Sequence, residues 1–394
     1  VKNTLSDISL PKLAILIAIR DRETSLLYNC LKSLANQTFQ DFEVHLADSG
    51  SKPFYCQTYQ NICQQFAFVR YYSLKTRGHW WNKSYALNFL LKQVQAELIM
   101  VLDADLMLHP NFLAQLIDAY SIDKLLKIRV LRLNKEFEDY QNLFNYSPKK
   151  IKESELSGEF ATGNILISRD KIMATGGYDE FYRFWGAEDK DMIMRLETQE
   201  VVSEFVLFEN TPVFHQWHPK LSENLPKGWQ MVIDEHFKQN VHSFSQAQIS
   251  IKNQTYLSDK FDERPILQHF SNPTLRNIVD FTFDYPKEKA WTDFFKVFND
   301  LPTGVVLSIK QDFELIPLNQ DSRLGKWIRK MNQWFQYVKL SYRWVEIKTY
   351  ETEVINIQEV RDFIFYFTLN FERQILDYFF EIEGKTLTFL VIKS

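Results

Sequence analysis

The chain has 394 residues, enough for two domains with cores of their own, and its 45% apolar and 24% charged residues are the composition of a globular protein. A formal net charge of -4 lacks the basic footprint of a general nucleic-acid binder. Cys30, Cys56 and Cys63 make neither a disulfide framework nor a zinc site, and no run approaches the ~20 apolar residues of a membrane-spanning helix.

Leu13–Ile19 reads as a strand and Ser25–Leu34 as a helix, with Cys30 on its apolar face. Phe42–Ala47 is a second strand, ending in Asp48-Ser49-Gly50-Ser51. Helix 55–65, strand 67–72 and helix 82–94 follow, and then the apolar run of residues 97–102 enters Asp103-Ala104-Asp105. Strands alternating with helices at this spacing predict a mostly parallel, doubly wound α/β sheet. Ligands bind such sheets beyond the carboxyl ends of the strands. Asp48 and Asp103 both fall at such ends.

A helix is predicted from His109-Pro110-Asn111 to Tyr120, and a strand over 128–133. The polar stretch 134–158 reads as an insertion or mobile loop, and 160–168 as a strand. Gly176-Gly177 marks a turn. Glu188 and Asp189 open a predicted helix over 188–199, and the segment 201–208 leads to Pro212 and His215. The strand–helix rhythm stops between 245 and 260. This gives a doubly wound α/β domain over 1–245 and a mixed, aromatic-rich domain over 246–394. In the latter, Trp327, Ile328, Met331, Trp334, Phe335 and Val338 recur at helical spacing among Lys and Arg. That pattern fits a packed helix with a solvated basic face better than one lying on an anionic membrane.

Three strings carry chemistry. Asp103-Ala104-Asp105 after a buried strand can hold a hard divalent cation, and through it a diphosphate. Glu188-Asp189 offers a general base, and His215 an imidazole to complete a metal shell. Each has a plainer reading alone: aspartates cap turns, acids suit a helix start, and a lone histidine is seldom a ligand. Their order along the chain favours the functional reading.

The combination resembles family-2 glycosyltransferases of the GT-A fold, a Rossmann-like sheet. In its second half it resembles the galactosyltransferase-type C-terminal segment of bacterial chondroitin polymerases and β1,4-galactosyltransferases. Arg20-Asp21-Arg22 is similar to the segment that meets the uridine, and Ala47-Asp48-Ser49-Gly50-Ser51 to the turn whose acid contacts the uracil or ribose. Trp81-Asn82-Lys83 resembles a family segment with Lys83 in place of the usual Arg, which keeps the charge and loses the fork. The most specific matches are Gly176-Gly177-Tyr178-Asp179-Glu180 and Trp185-Gly186-Ala187-Glu188-Asp189. Phe214-His215-Gln216 is similar to a string whose histidine binds metal.

The resemblance implies inverting transfer from a UDP-sugar of galactose, N-acetylgalactosamine or glucose type to a hydroxyl acceptor, with Mn2+ or Mg2+. It implies Asp105 and His215 as metal ligands, with Asp103 toward the ribose or the metal through water. Asp189 is the implied base, and Glu188 holds sugar hydroxyls. Arg20, Arg22, Asp48, Lys83, Trp185 and Gly177 are the remaining donor-side residues. The expected partners are the donor and a glycan or lipid-linked acceptor, with no nucleic acid. The expected location is the cytoplasm, with peripheral contact at the inner membrane face through the C-terminal domain. The competing readings are a metal-dependent nucleotidyltransferase, for which Arg20-Asp21-Arg22-Glu23 lacks the glycine-rich loop, a non-catalytic sugar-binding module, and a retaining transferase.

Overall fold

Apolar residues along a strand point alternately to opposite faces, so a strand apolar throughout must be covered on both. β1 (Leu13–Ile19) is such a strand. Leu13, Ile15 and Ile17 enter one core with Leu27 and Leu31 of α1 (Thr24–Ala35), Tyr59 of α2 (Pro53–Cys63) and Leu113 of α4 (Phe112–Ala119). Ala14 and Leu16 enter a second core with Leu87 and Leu91 of α3 (Lys83–Gln93), Ile172 of α6 (Arg169–Ala174) and Met192 of α7 (Glu188–Glu197). The chain is a computed structural model that describes residues 11–151, 163–184, 186–219, 225–242, 278–283, 287–313 and 357–394. It divides into two compact units, Val1–Glu263 and Arg264–Ser394.

In the first unit a seven-stranded sheet has the order β3-β2-β1-β4-β8-β6-β9, from β2 (Phe42–Asp48), β3 (Val69–Ser73), β4 (Leu98–Val101), β6 (Lys124–Ile128), β8 (Ile165–Ser168) and β9 (Val202–Val206). Strands β3, β2, β1 and β4 are mutually parallel, as the strand–helix alternation predicts. Strand β8 inserts antiparallel between β4 and β6. Its first residues therefore lie beside the carboxyl end of β4, next to Asp103.

A smaller sheet sits where β4 ends. β5 (Leu106–Leu108) pairs antiparallel with β10 (Val213–His215), and β10 pairs parallel with β7 (Leu131–Arg132). The single strand expected over 128–133 is thus two. Ile128 ends β6 in the large sheet core, Arg129 and Val130 cross over, and Leu131 begins β7 in the small one. The expected loop after Asn134 is also different as far as residue 151. A 3-10 helix, Tyr140–Asn145, and α5 (Pro148–Ile151) bury Leu143 and Ile151 with Leu133, Met107 and Phe214. Phe137, Tyr140 and Phe144 pack on the same cluster, so a few well-spaced apolar side chains order a mainly polar segment.

Helix α8 (Trp229–His242) closes the described part of the first unit. The second unit holds β11 (Ile278–Asp280), α9 (Lys287–Asp300), β12 (Val306–Asp312), α10 (Ile357–Asn370), β13 (Ile375–Glu383) and β14 (Thr386–Lys393). Its sheet has the order β11-β12-β14-β13. Trp291, Phe294 and Phe298, at helical spacing on α9, meet Phe363 and Phe367 of α10, with ring centroids 4.3 Å apart for Trp291–Phe363. The apolar stripe from Trp327 to Val338 lies outside the described residues. No helix among the described residues is long and apolar enough to cross a membrane.

Candidate active site

The chain leaves β4 at Leu102, turns through Asp103-Ala104-Asp105 and re-enters a strand at Leu106. Register with β10 sets Leu106 opposite His215, and Gln216 N–H donates to the Asp105 carbonyl at 2.9 Å. Gln216 is fully buried: its amide donates to Leu26 O and accepts from Asn29 Nδ2, which pins this loop to α1. His218 then folds back, with Nε2 3.0 Å from Asp105 Oδ2, while His215 Nε2 is 3.6 Å from Asp105 Oδ1.

Ligand atoms of Asp105, His215 and His218 lie within 4.8 Å of one another. Asp105 Oδ1 is buried without a hydrogen bond, a demand that a bound cation would satisfy. One carboxylate and two imidazoles form a donor set for a borderline divalent metal such as Mn2+. His218 Nδ1 lies 2.9 Å from Pro219 O, a contact that helps to orient the ring. Burial alone raises a carboxyl, but the two imidazoles and Arg22 overcome it and hold Asp105 at about 2. Arg22 Nη1 is 3.2 Å from His218 Nδ1, which brings a fixed cation to the rim of the triad.

Asp103 is tied elsewhere. Its Oδ1 accepts from Lys83 Nζ at 3.0 Å and its Oδ2 from Asn164 Nδ2 at 3.0 Å, while Asn164 Oδ1 accepts from Asp103 N–H. His218, which the resemblance did not name, completes the triad, and Asp103 links the turn that carries Asp105 to a second cluster. Lys83 stands in the first turn of α3, after Asn82, whose side chain accepts from Tyr85 N–H and caps the helix. Lys83 Nζ is also 3.9 Å from Asp189 Oδ1. Burial works against its charge, but Asp103, Asp189 and Glu188 hold the Lys83 ammonium well above its usual range.

Asp189 lies in the first turn of α7, entered through left-handed Phe184 and Ala187. These are rare conformations for residues with a Cβ, and they cluster where function requires strain. Burial, with the charges of Glu188 and Asp103, pushes Asp189 up to about 7 against the opposing pull of Lys83. Its Oδ1 is buried and accepts no hydrogen bond. Glu188 is buried and accepts from Gly186 N–H. Trp185 lies outside the described residues.

The remaining candidates fall into two groups. Asp48 is buried, with Oδ1 accepting from Ser51 N–H and Oδ2 from the Tyr71 hydroxyl, and so shapes the turn after β2. Arg20 donates to His79 O at 2.6 Å. Gly177 belongs to the glycine turn beside α3. At φ 82° it backs onto Asn88, where a Cβ would stand 2.5 Å from Oδ1, and its carbonyl accepts from Arg195. Asn88 accepts from Tyr178 N–H and donates to Tyr178 O and Glu180 Oε1, which locks the glycine turn to α3. Asp191 and Arg195, paired at 2.7 Å inside α7, tie that helix to the same turn.

Residues 15–172 match the family model of glycosyl transferase family 2, and residues 146–219 match the model described as the N-terminal domain of galactosyltransferase. The chain is 22% identical over 248 residues to chondroitin synthase from Escherichia coli; the match covers 52% of this chain and 35% of that protein, about a third of its length. Among solved structures it is similar to S. aureus TarS, with a TM-score of 0.40 and 16% identity over 59% of this chain and 43% of that one. It is also similar to GalNAc-T7, solved with UDP, GalNAc and Mn2+, with a TM-score of 0.44 and 14% identity over 63% of this chain and 54% of that one. The stretch that carries the parallel-rich sheet and the acidic turn at the end of β4 is thus the part of the chain that is similar to glycosyl transferase family 2.

Proposed function

We propose that the chain is an inverting, metal-dependent transferase that moves a hexose of the galactose, N-acetylgalactosamine or glucose type from a UDP-sugar to a hydroxyl of a glycan or lipid-linked acceptor. The observation that carries this reading is the linkage of two clusters with opposite electrostatics. One is the low-pKa carboxylate Asp105 with His215 and His218. The other is the high-pKa carboxylate Asp189. Asp103 and Lys83 join them. Carboxylates pushed apart in this way mark a division of labour within one site.

Asp105, His215 and His218 are the residues that would hold Mn2+ or Mg2+. Bound there, the cation supplies positive charge to the departing diphosphate. Arg22, beside His218, adds a permanent charge on the same side. Lys83 is an ammonium between Asp103 and Asp189, placed to meet phosphate oxygens. The acceptor hydroxyl gives its proton to Asp189 Oδ1 as its oxygen bonds to the anomeric carbon. The bond from that carbon to the diphosphate oxygen breaks and UDP leaves. A single displacement of this kind inverts the anomeric centre. Glu188 is suited to sugar hydroxyls, and Asp48 and Arg20 to the nucleoside end.

Calorimetric titration with UDP in Mn2+, Mg2+ or EDTA tests the metal assignment. UDP affinity should fall more than ~10-fold in EDTA and in Asp105→Ala and His218→Ala, at least the effect of losing a supporting partner of a metal ligand. Equal affinity in EDTA and Mn2+ contradicts the metal reading.

A further inference from the structure

We propose that Gly163 is a positioning residue for transfer: the missing side chain at this position seats the Asp189 carboxylate and leaves its Oδ1 for the acceptor proton. This rests on the reading of Asp189 as the base.

Gly163 is buried and immediately precedes Asn164 and β8, the antiparallel strand that brings this segment beside the end of β4. It is not among the residues with positive φ, so the backbone does not call for glycine here. Space does. A Cβ at 163 would stand 2.8 Å from Asp189 Oδ2, 3.4 Å from Asp189 Cγ and 3.2 Å from Lys83 Nζ. The first distance is shorter than any ordinary carbon–oxygen contact, so the carboxylate would have to move.

The environment of that carboxylate is asymmetric. Oδ2 lies against Gly163, while Oδ1 is buried, accepts no hydrogen bond and lies 3.9 Å from Lys83 Nζ. Glycine thus serves as the wall that fixes which oxygen is presented. A methyl group there is a wedge between Asp189 and Lys83. The backbones on either side are held independently: β8 by its ladder to β4, in which Ile165 pairs with Val101, and α7 by the buried Asp191–Arg195 pair. The displacement falls on the short Asp189 side chain, at the atoms that take the proton.

The test is Gly163→Ala, read through UDP release from UDP-galactose and UDP-N-acetylgalactosamine with water as the acceptor hydroxyl. A reacting group misplaced by about 1 Å loses ~10²-fold in rate. The expected result is that loss in kcat, with donor KM and UDP affinity within about twofold of the parent. A general disturbance of the fold would move KM and kcat together. The second readout is thermal stability, which needs no donor. Gly163→Ala should lower Tm in the parent and not in an Asp189→Ala background, where the wedge meets no carboxylate. If the single variant fails to fold while the double variant folds, the contact is established by that alone. Parent-level kcat in Gly163→Ala, an equal Tm loss in both backgrounds, or unfolding of both variants overturns the proposal. Its failure is separable from that of the base assignment. Normal turnover in Asp189→Asn removes the base, whereas a dead Asp189→Asn beside a fully active Gly163→Ala removes only the role of Gly163.

Discussion

Asp105 and Asp189 are the same amino acid in one site, and their surroundings drive them in opposite directions. Asp105 faces two imidazoles and Arg22 and stays ionised. Asp189 is largely enclosed and shares its cluster with Glu188 and Asp103, and Lys83 is the cation that offsets them. The ionised form of Asp189 is the one that accepts a proton. Turnover should therefore rise with pH through about 7, with a slope of one in log kcat below it. Lys83→Met removes the charge that opposes the rise in pKa, so the limb should move to higher pH. A pH-independent kcat between pH 5.5 and 8.5, or a limb that moves down in Lys83→Met, contradicts this assignment. Asp103, Asp105, His215 and Asp189 were legible because each stands in a short string of fixed order. His218 was visible only as a second histidine three residues after His215, across Trp217, and nothing in the string said that the chain folds back there. Asn164 and Gly163 belong to no acidic or basic motif, and only the register of β8 reveals what they touch.

At the scale of elements, the first half follows from apolar periodicity. β1, α1, β2, α2, β3, α3 and β4 agree in kind and nearly in extent with the runs read from sequence. The direction of β8 was not legible, because a four-residue strand apolar on both faces reads the same parallel or antiparallel. That reversal nonetheless matters to the site, since it sets Gly163 and Asn164 beside Asp103. The division of 128–133 between two sheets was hidden for a related reason, since the two short strands run on almost without a break. One buried amide joins the elements that carry Lys83 and Asp189. Asn88 on α3 makes three hydrogen bonds to the Gly176–Glu180 turn, which Arg195 ties to α7. Asn88→Ala leaves the buried Tyr178 N–H without its acceptor and should cost ~3 kcal/mol, within the range for orphaned buried groups. Urea denaturation measures it, and a loss under ~0.5 kcal/mol, the size of an ordinary surface substitution, would show that the turn is held by other contacts.

At the scale of the whole molecule, the chain joins a unit similar to family-2 glycosyltransferases to a second unit of different construction. The first was readable because its chemistry lies at strand ends, where a doubly wound sheet must put it. The second was readable only as mixed and aromatic-rich. Its phenylalanines at helical spacing declare helix packing, as α9 and α10 show, but declare no chemistry. The family likeness lies in the first unit, and so do the two clusters proposed for substrate binding and for proton transfer. The most direct measurement is Asp189→Asn, compared with the parent for UDP affinity in Mn2+ and for turnover of the UDP-sugar. Turnover should fall by at least ~10²-fold, as for loss of a general base, with UDP affinity within about twofold. Retained turnover, or loss of both together, would contradict it.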